Sequence, residues 1–193
     1  GGRRTHKRVT PRWGGLAFFV GVLPVVLFAA SSGRALISYL AASGIMVGIG
    51  MLDDRKHVPY KIKFGGMLVA VSIIIFGGHT VVDHIGNYGS LGRIELGSLS
   101  IPFTYFGIIG VTNAINLLDG LNGLAGGVSL LGFLFMGISA ALAGNMPVAM
   151  VCFAFVGALA GFLRFNFPHA RIFMGDTGSL FLGFSLSVTA VFL

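Results

Sequence analysis

Seven apolar runs divide the chain, at about 14–31, 35–52, 64–82, 101–118, 123–143, 146–163 and 178–193, each closed off by glycine, proline or charge. Runs of this length predict helices. At 1.5 Å rise per residue about 20 residues cover a hydrocarbon core of about 30 Å, and a helix satisfies its own backbone where lipid offers no partner. The last run is short for a full crossing, as a truncated span is. Between the third and fourth runs, "GRIEL" lies as a short strand between glycines and predicts an outer-side β-hairpin near 85–100. Gly44 with Gly48, and Gly157 with Gly161, sit four apart, a spacing that lets helices approach closely. The expected fold is an all-α polytopic membrane protein of about seven transmembrane helices, part of a larger bundle. It forms a single integral-membrane domain over residues 1–193, truncated at both ends.

Composition supports this class. The 193 residues are 55% hydrophobic and 10% charged, with a mean hydropathy of +0.91, whereas soluble domains carry roughly 25% charged residues. The one cysteine, Cys152, lies in an apolar run and reads as a packing residue, not as half of a disulfide or a thiolate ligand.

Charge then gives the chain a direction. Arg3, Arg4, Lys7, Arg8 and Arg12 precede the first run, Arg55, Lys56, Lys61 and Lys63 follow the second, and Arg164 and Arg171 separate the sixth from the seventh. Only Arg34 and Arg93 fall on the other side. By the positive-inside rule the richer side faces the cytoplasm of an inner membrane. The net charge of +7 is therefore a property of one membrane face, and no nucleic-acid partner is expected. Trp13 reads as an interfacial anchor.

The acids carry more information than the bases, because orientation does not require them. Asp83 and Glu95 fall in the outer loop and read as a solvated cap, while Asp53, Asp54, Asp119 and Asp176 all fall at inner-side ends of runs. A carboxylate near lipid is costly unless paired, hydrated or bound to a cation. Four of them at one boundary point to a single polar site.

Three stretches hold these acids. In "GMLDDRKHVPYKIKF" the adjacent Asp53 and Asp54 straddle a helix C-terminus, where the macrodipole disfavours anions, so nearby lysines or a divalent cation must compensate. In "NAINLLDGLNGLAGG" Asn113, Asn116 and Asp119 recur every third residue and share a helical stripe of hard oxygen donors suited to Mg²⁺. The "GLAGG" that follows opens a new helix whose free N–H groups could receive a phosphate. In "ARIFMGDTGSLFLG" Asp176 and Thr177 stand just before a run and are competent to cap it. Acids, amide oxygens and a ring of cations at one membrane face suit a metal and a phosphate-bearing substrate.

"DDRKHVPYKIK", "NAINLLDGLNGLAGG" and "FMGDTGSLFLG", in this order and separated by apolar runs, resemble the polyprenyl-phosphate N-acetylhexosamine-1-phosphate transferases, and "RRTHKRVTPRWGG" resembles that family's first cytoplasmic loop. The resemblance implies a Mg²⁺-dependent enzyme, with Mn²⁺ as a substitute. It would transfer a HexNAc-1-phosphate, GlcNAc-1-phosphate in the first instance, from a UDP-sugar to undecaprenyl phosphate, releasing UMP and starting a cell-envelope glycan. It places Asp176 and Asn116 at the metal, and makes Asp53, Asp54 and Asp119 catalytic. Asp53 and Asp54 would sit near the lipid phosphate, and Asp119 would help to hold the nucleotide diphosphate. Lys61, Asn116, Asn122, Arg12, Lys7 and Gly175 would contact substrate, and a homo-oligomer is compatible with all of this. Two departures stand out: Asn122 replaces the second acid of the family's Asp-Gly-x-Asp-Gly, and an amide cannot act as a base; the family's later basic, His-rich segment would lie past Leu193.

Three alternatives follow from the same residues. The sugar could be phospho-MurNAc-pentapeptide, as in peptidoglycan synthesis. A transporter also carries intramembrane acids, but near mid-bilayer and not at one boundary. An inactive homologue, kept in view by Asn122, would bind the nucleotide sugar without releasing UMP.

Overall fold

A computed structural model describes residues 14–30, 33–87 and 92–193. The cationic segment with Lys7, Arg12 and Trp13 lies outside them. Among the described residues seven α-helices form: α1 (Gly14–Ala30), α2 (Arg34–Lys56), α3 (Tyr60–Ser72), α4 (Ser100–Leu118), α5 (Leu124–Leu142), α6 (Met146–Asn166) and α7 (Gly175–Val191). A π-helical turn, Ile73–Gly77, prolongs α3, and a 3₁₀ turn, Gly97–Leu99, leads into α4. Between them β1 (His84–Asn87) pairs antiparallel with β2 (Arg93–Glu95), in a register that opposes Ile85 to Ile94.

Among the described residues five helices are long and apolar enough to cross a membrane: α2, α3 with its π turn, the 3₁₀ turn with α4, α5 and α6. This is a multi-pass membrane protein. Against the expected seven or so crossings, the described residues hold seven helices of which five are such spans. The two exceptions, α1 and α7, are 17 residues long, and α7 has a different environment.

The first six helices close a ring in chain order, each touching the next and α6 returning to α1, while α7 fills the centre against α1, α2, α4 and α5. Sequence explains why α7 can sit there. Every residue from Thr177 to Ser185 is buried, and the run mixes large rings with Gly178, Ser179, Gly183 and Ser185, which let neighbouring backbones come close. A Cβ on Gly15 of α1 would collide with the backbone of Gly178, and one on Gly50 of α2 with the backbone of Thr177. Aromatic side chains fill the rest: Phe133 stacks on Phe155 at 4.3 Å, and Phe155 meets Phe181 at 5.5 Å. Several buried hydroxyls are tied internally, as where the Tyr39 hydroxyl donates to Ser185 Oγ at 2.7 Å. Cys152 is buried in this packing.

The glycines expected to mediate contacts are not the ones that do. Gly44, Gly48, Gly157 and Gly161 have no atom within 4 Å of the place a Cβ would occupy, so the faces of α2 and α6 that they mark have no neighbour there. Gly15→Ala is therefore expected to destabilise the protein by about 1–3 kcal/mol or more, since backbone on both sides cannot yield. Gly44→Ala should be neutral or stabilising by up to about 1 kcal/mol. Melting of the two variants in detergent checks the contrast.

Alternation of helix direction sorts the connections into two ends. One end holds the starts of α1, α3, α5 and α7 and the ends of α2, α4 and α6, stitched by Gly14 N–H to Phe173 O at 3.1 Å and Asn122 Nδ2 to Pro168 O at 3.2 Å. The other holds the β-ribbon and the α5–α6 turn, where Asn145 Nδ2 donates to Phe192 O at 3.4 Å. Asp53, Asp54, Asp119 and Asp176 share the first end; Asp83 and Glu95 share the second, where Asp83 pairs with Arg93 at 3.1 Å.

Candidate active site

Four carboxylates separated by up to 123 residues meet at one end of the bundle, and each is held differently. Asp53, in the last turns of α2, is 4% exposed. Its Oδ1 accepts the Val58 N–H at 2.6 Å, and its Oδ2 forms an ion pair with Lys63 Nζ. The same ammonium reaches Asp176 Oδ2 at 3.5 Å, so Lys63 bridges α2 to α7. Asp176 Oδ1 accepts Asn116 Nδ2 at 2.8 Å, and that amide also donates to Ser179 Oγ at 2.7 Å. Asn116 thus ties α4 to α7, on the stripe that carries Asp119 one turn further.

Asp54 turns the other way. Its Oδ1 accepts the Asp176 N–H at 2.9 Å; its Oδ2 accepts the Thr177 N–H at 3.0 Å and the Thr177 hydroxyl at 2.6 Å. The C-terminus of α2 therefore meets the N-terminus of α7, and opposite helix ends attract. Capping of α7 by its own Asp176 or Thr177, for which both are competent, does not occur: no side chain of the α7 start caps it, because α2 supplies the acceptor.

Asp119 forms the C-cap of α4 and makes no hydrogen bond or ion pair with the described residues. Burial first, then the neighbouring carboxylates of Asp176 and Asp54, push its carboxyl up to about 7. With Asp54, Asn116, Gly120, Phe173, Gly175 and Asp176 it lines an open cleft of about 340 Å³. A second cavity of about 550 Å³ shares Asn116 and runs between α3 and α4 along Lys61, Lys63, Phe64, Met67 and Asn113. It leads from the acids to the exposed apolar side of α3, where Phe64 is 48% and Val69 54% exposed.

The structure thus brings Asp53, Asp54, Asn116, Asp119, Gly175 and Asp176 together, with Lys61 on the neighbouring groove. Asn122 is exposed and faces Pro168 instead of the cleft. Arg12 and Lys7 fall outside the described residues. Of the amides around the start of α5, expected to receive an anion, that of Gly123 is taken: buried Asn166 accepts the Gly123 N–H at 2.7 Å and donates to Ile172 O at 2.8 Å. Lys63, Phe173 and Asn166 are among the residues sequence reasoning did not single out for the site. Lys63 had a readable signal, since 63, 67, 70 and 74 continue one helical stripe and Met67, Ala70 and Ile74 on it are buried.

Among the described residues no group of three or more His, Cys, Asp or Glu forms a ready metal cage. The donors nevertheless fit Mg²⁺, which keeps several waters and takes one or two carboxylates plus substrate phosphate. Asp119 and Asp176 offer carboxylates in one cleft, and Asn116 an amide oxygen.

Fold and site together define a polytopic membrane protein with an acid-rich cleft at one boundary of its bundle. The chain belongs to glycosyl transferase family 4, whose profile matches residues 36–193. It is 37% identical over 190 residues to the probable undecaprenyl-phosphate N-acetylglucosaminyl 1-phosphate transferase of Bacillus subtilis, covering 98% of this chain and 53% of that protein. It is 37% identical over 205 residues to a phospho-N-acetylmuramoyl-pentapeptide-transferase of Clostridium perfringens, covering 100% and 64%. Similarity to the decaprenyl-phosphate N-acetylglucosaminephosphotransferase of Mycolicibacterium smegmatis is 33% over 208 residues, covering 97% and 51%. The chain therefore spans between half and two thirds of the length of these relatives.

Proposed function

We propose that the protein transfers GlcNAc-1-phosphate from UDP-GlcNAc to undecaprenyl phosphate at the cytoplasmic face of the inner membrane. The observation that carries this is the junction of an acid cleft with an apolar groove at Asn116. One cavity suits a nucleotide diphosphate with its cation, and the other suits a phosphate on a hydrocarbon chain.

In this reading the acceptor's isoprenoid lies along Phe64 and Met67, and its phosphate reaches the Lys61 and Lys63 end of the groove. A phosphate oxygen attacks the phosphorus next to the sugar, the bond from that phosphorus to the bridging oxygen breaks, and UMP leaves with the electron pair. Asp53 would take the acceptor's proton, with its partner Lys63 bordering the groove. Phe173, 39% exposed on the rim of the acid cleft, offers a ring face to the nucleobase. Asp119, Asp176 and Asn116 would hold Mg²⁺, which when bound supplies charge neutralisation between two anionic reactants.

Membranes containing the whole protein should release UMP from UDP-GlcNAc only when undecaprenyl phosphate is present. A second reading, transfer of phospho-MurNAc-pentapeptide, is favoured by full-chain coverage of the Clostridium perfringens relative. UMP release from UDP-MurNAc-pentapeptide, and not from UDP-GlcNAc, would select it.

The site also predicts a pH effect. With Asp119 at about 7, a cation must displace a proton below that pH and none above it. Mg²⁺ affinity should therefore rise up to about tenfold per pH unit from pH 5 to 7 and then level off. The Mg²⁺-induced gain in melting temperature should be larger at pH 8 than at pH 6.

A further inference from the structure

The adjacent acids of α2 do different work. We propose that Asp54 is a positioning residue, which fixes Asp176 through the first turn of α7 and does not take a proton or contact the acceptor phosphate. This rests on the reading of Asp176 as a residue of the cation and diphosphate site. Consecutive helical residues point about 100° apart, so Asp53 and Asp54 cannot serve one ligand from one face. Asp53 meets the Lys63 ammonium. The side-chain hydrogen bonds of Asp54 all go to the start of α7: one oxygen accepts the amide of Asp176 itself, and the other accepts the amide and hydroxyl of Thr177.

The local sequence is shaped around this contact. Gly175 has φ +67°, which an L side chain rarely adopts, and a Cβ there would lie 2.7 Å from both Asp54 oxygens. Gly50, one turn before Asp54, lets α2 lie directly on the backbone of Thr177. Three hydrogen bonds to consecutive residues leave the Asp176 backbone little freedom, and so set where its side chain meets Lys63 and Asn116. With the amides at the start of α7 already accepted by a carboxylate of the protein, that helix end is not available to a substrate phosphate. The diphosphate is left to Lys63, the cation and the residues around Asp119.

The test combines hydrogen exchange with kinetics on the whole protein and three variants: Asp54→Asn, Thr177→Val and the double variant. Exchange at the amides of Asp176 and Thr177 should speed up at least tenfold in Asp54→Asn. Turnover should fall roughly 10–100-fold, the usual effect of losing a residue that orients a ligand, with KM for undecaprenyl phosphate unchanged. Thr177→Val removes one hydroxyl and should show a smaller loss in the same direction. The double variant should be no worse than Asp54→Asn, because both act through one contact. Unchanged exchange in Asp54→Asn would overturn the proposal, as would independent, multiplying losses in the double variant. If Asp54→Asn misfolds, Thr177→Val decides: wild-type exchange and turnover in that variant reject the contact. A wild-type protein that releases no UMP rejects the transferase reading alone, since the exchange measurement still reports on Asp54.

Discussion

Asp176→Ala is expected to lower acceptor-dependent UMP release by about a thousandfold or more, the scale seen when a group that stabilises developing charge is removed. Three neighbours explain the size of the effect. Asp176 faces Lys63 at 3.5 Å, receives Asn116 at 2.8 Å and shares its cleft with Asp119. Removing it takes away a carboxylate proposed for the cation, frees the bridging lysine and releases the amide in one step. Stability should change little, because Asp176 is only half-buried and its backbone remains tied to Asp54. Turnover measured beside the melting temperature separates the two. A variant that melts like the wild type and turns over at the wild-type rate removes Asp176 from the chemistry.

Lys63→Met should be the most damaging change for stability within the site. Asp53 is buried, and Lys63 is its charged partner. Losing one member of a buried pair strands the other, a penalty of about 3–5 kcal/mol; water reaching Lys63 reduces this to about 2–3 kcal/mol. Asp53 and Asp176 would then face each other without the bridge, and turnover should fall roughly 100-fold. Lys63→Arg should restore only part of either loss, because the planar guanidinium cannot replace a compact ammonium between two carboxylates. Lys61→Met is the control. Lys61 is exposed on the same groove, and its loss should raise KM for the acceptor a few fold with stability unchanged. Equal effects at the two lysines would refute the bridge.

These two lysines show how far the sequence could be read. The helices were legible because lipid forces each apolar run to satisfy its own backbone, and the Asn113, Asn116, Asp119 stripe because the run around it is plainly helical. That the four acids share one end followed from counting crossings. Which lysine turns inward depended on the phase of α3, and that phase is visible only when Met67, Ala70 and Ile74 are recognised as its buried face. Capping of α7 by Asp54 was out of reach, because it joins residues more than 120 positions apart. The glycine contacts failed for a related reason. A four-residue spacing marks a face of a helix but not whether that face has a neighbour, and in a chain with 31 glycines most such faces look outward. The place of α7 at the centre could be inferred only once its serines, threonines and glycines were seen to be buried.

The account depends on Asp176, Asn116 and Asp119 forming one pocket in which a cation meets the substrate diphosphate. Electron–nuclear double resonance on Mn²⁺ bound to the whole protein reads this directly. Adding UDP-GlcNAc should produce ³¹P couplings to the wild-type ion, and Asp176→Ala should abolish them. Mn²⁺ that binds equally well to Asp176→Ala, or that shows no phosphorus coupling with UDP-GlcNAc bound to the wild type, would contradict the account.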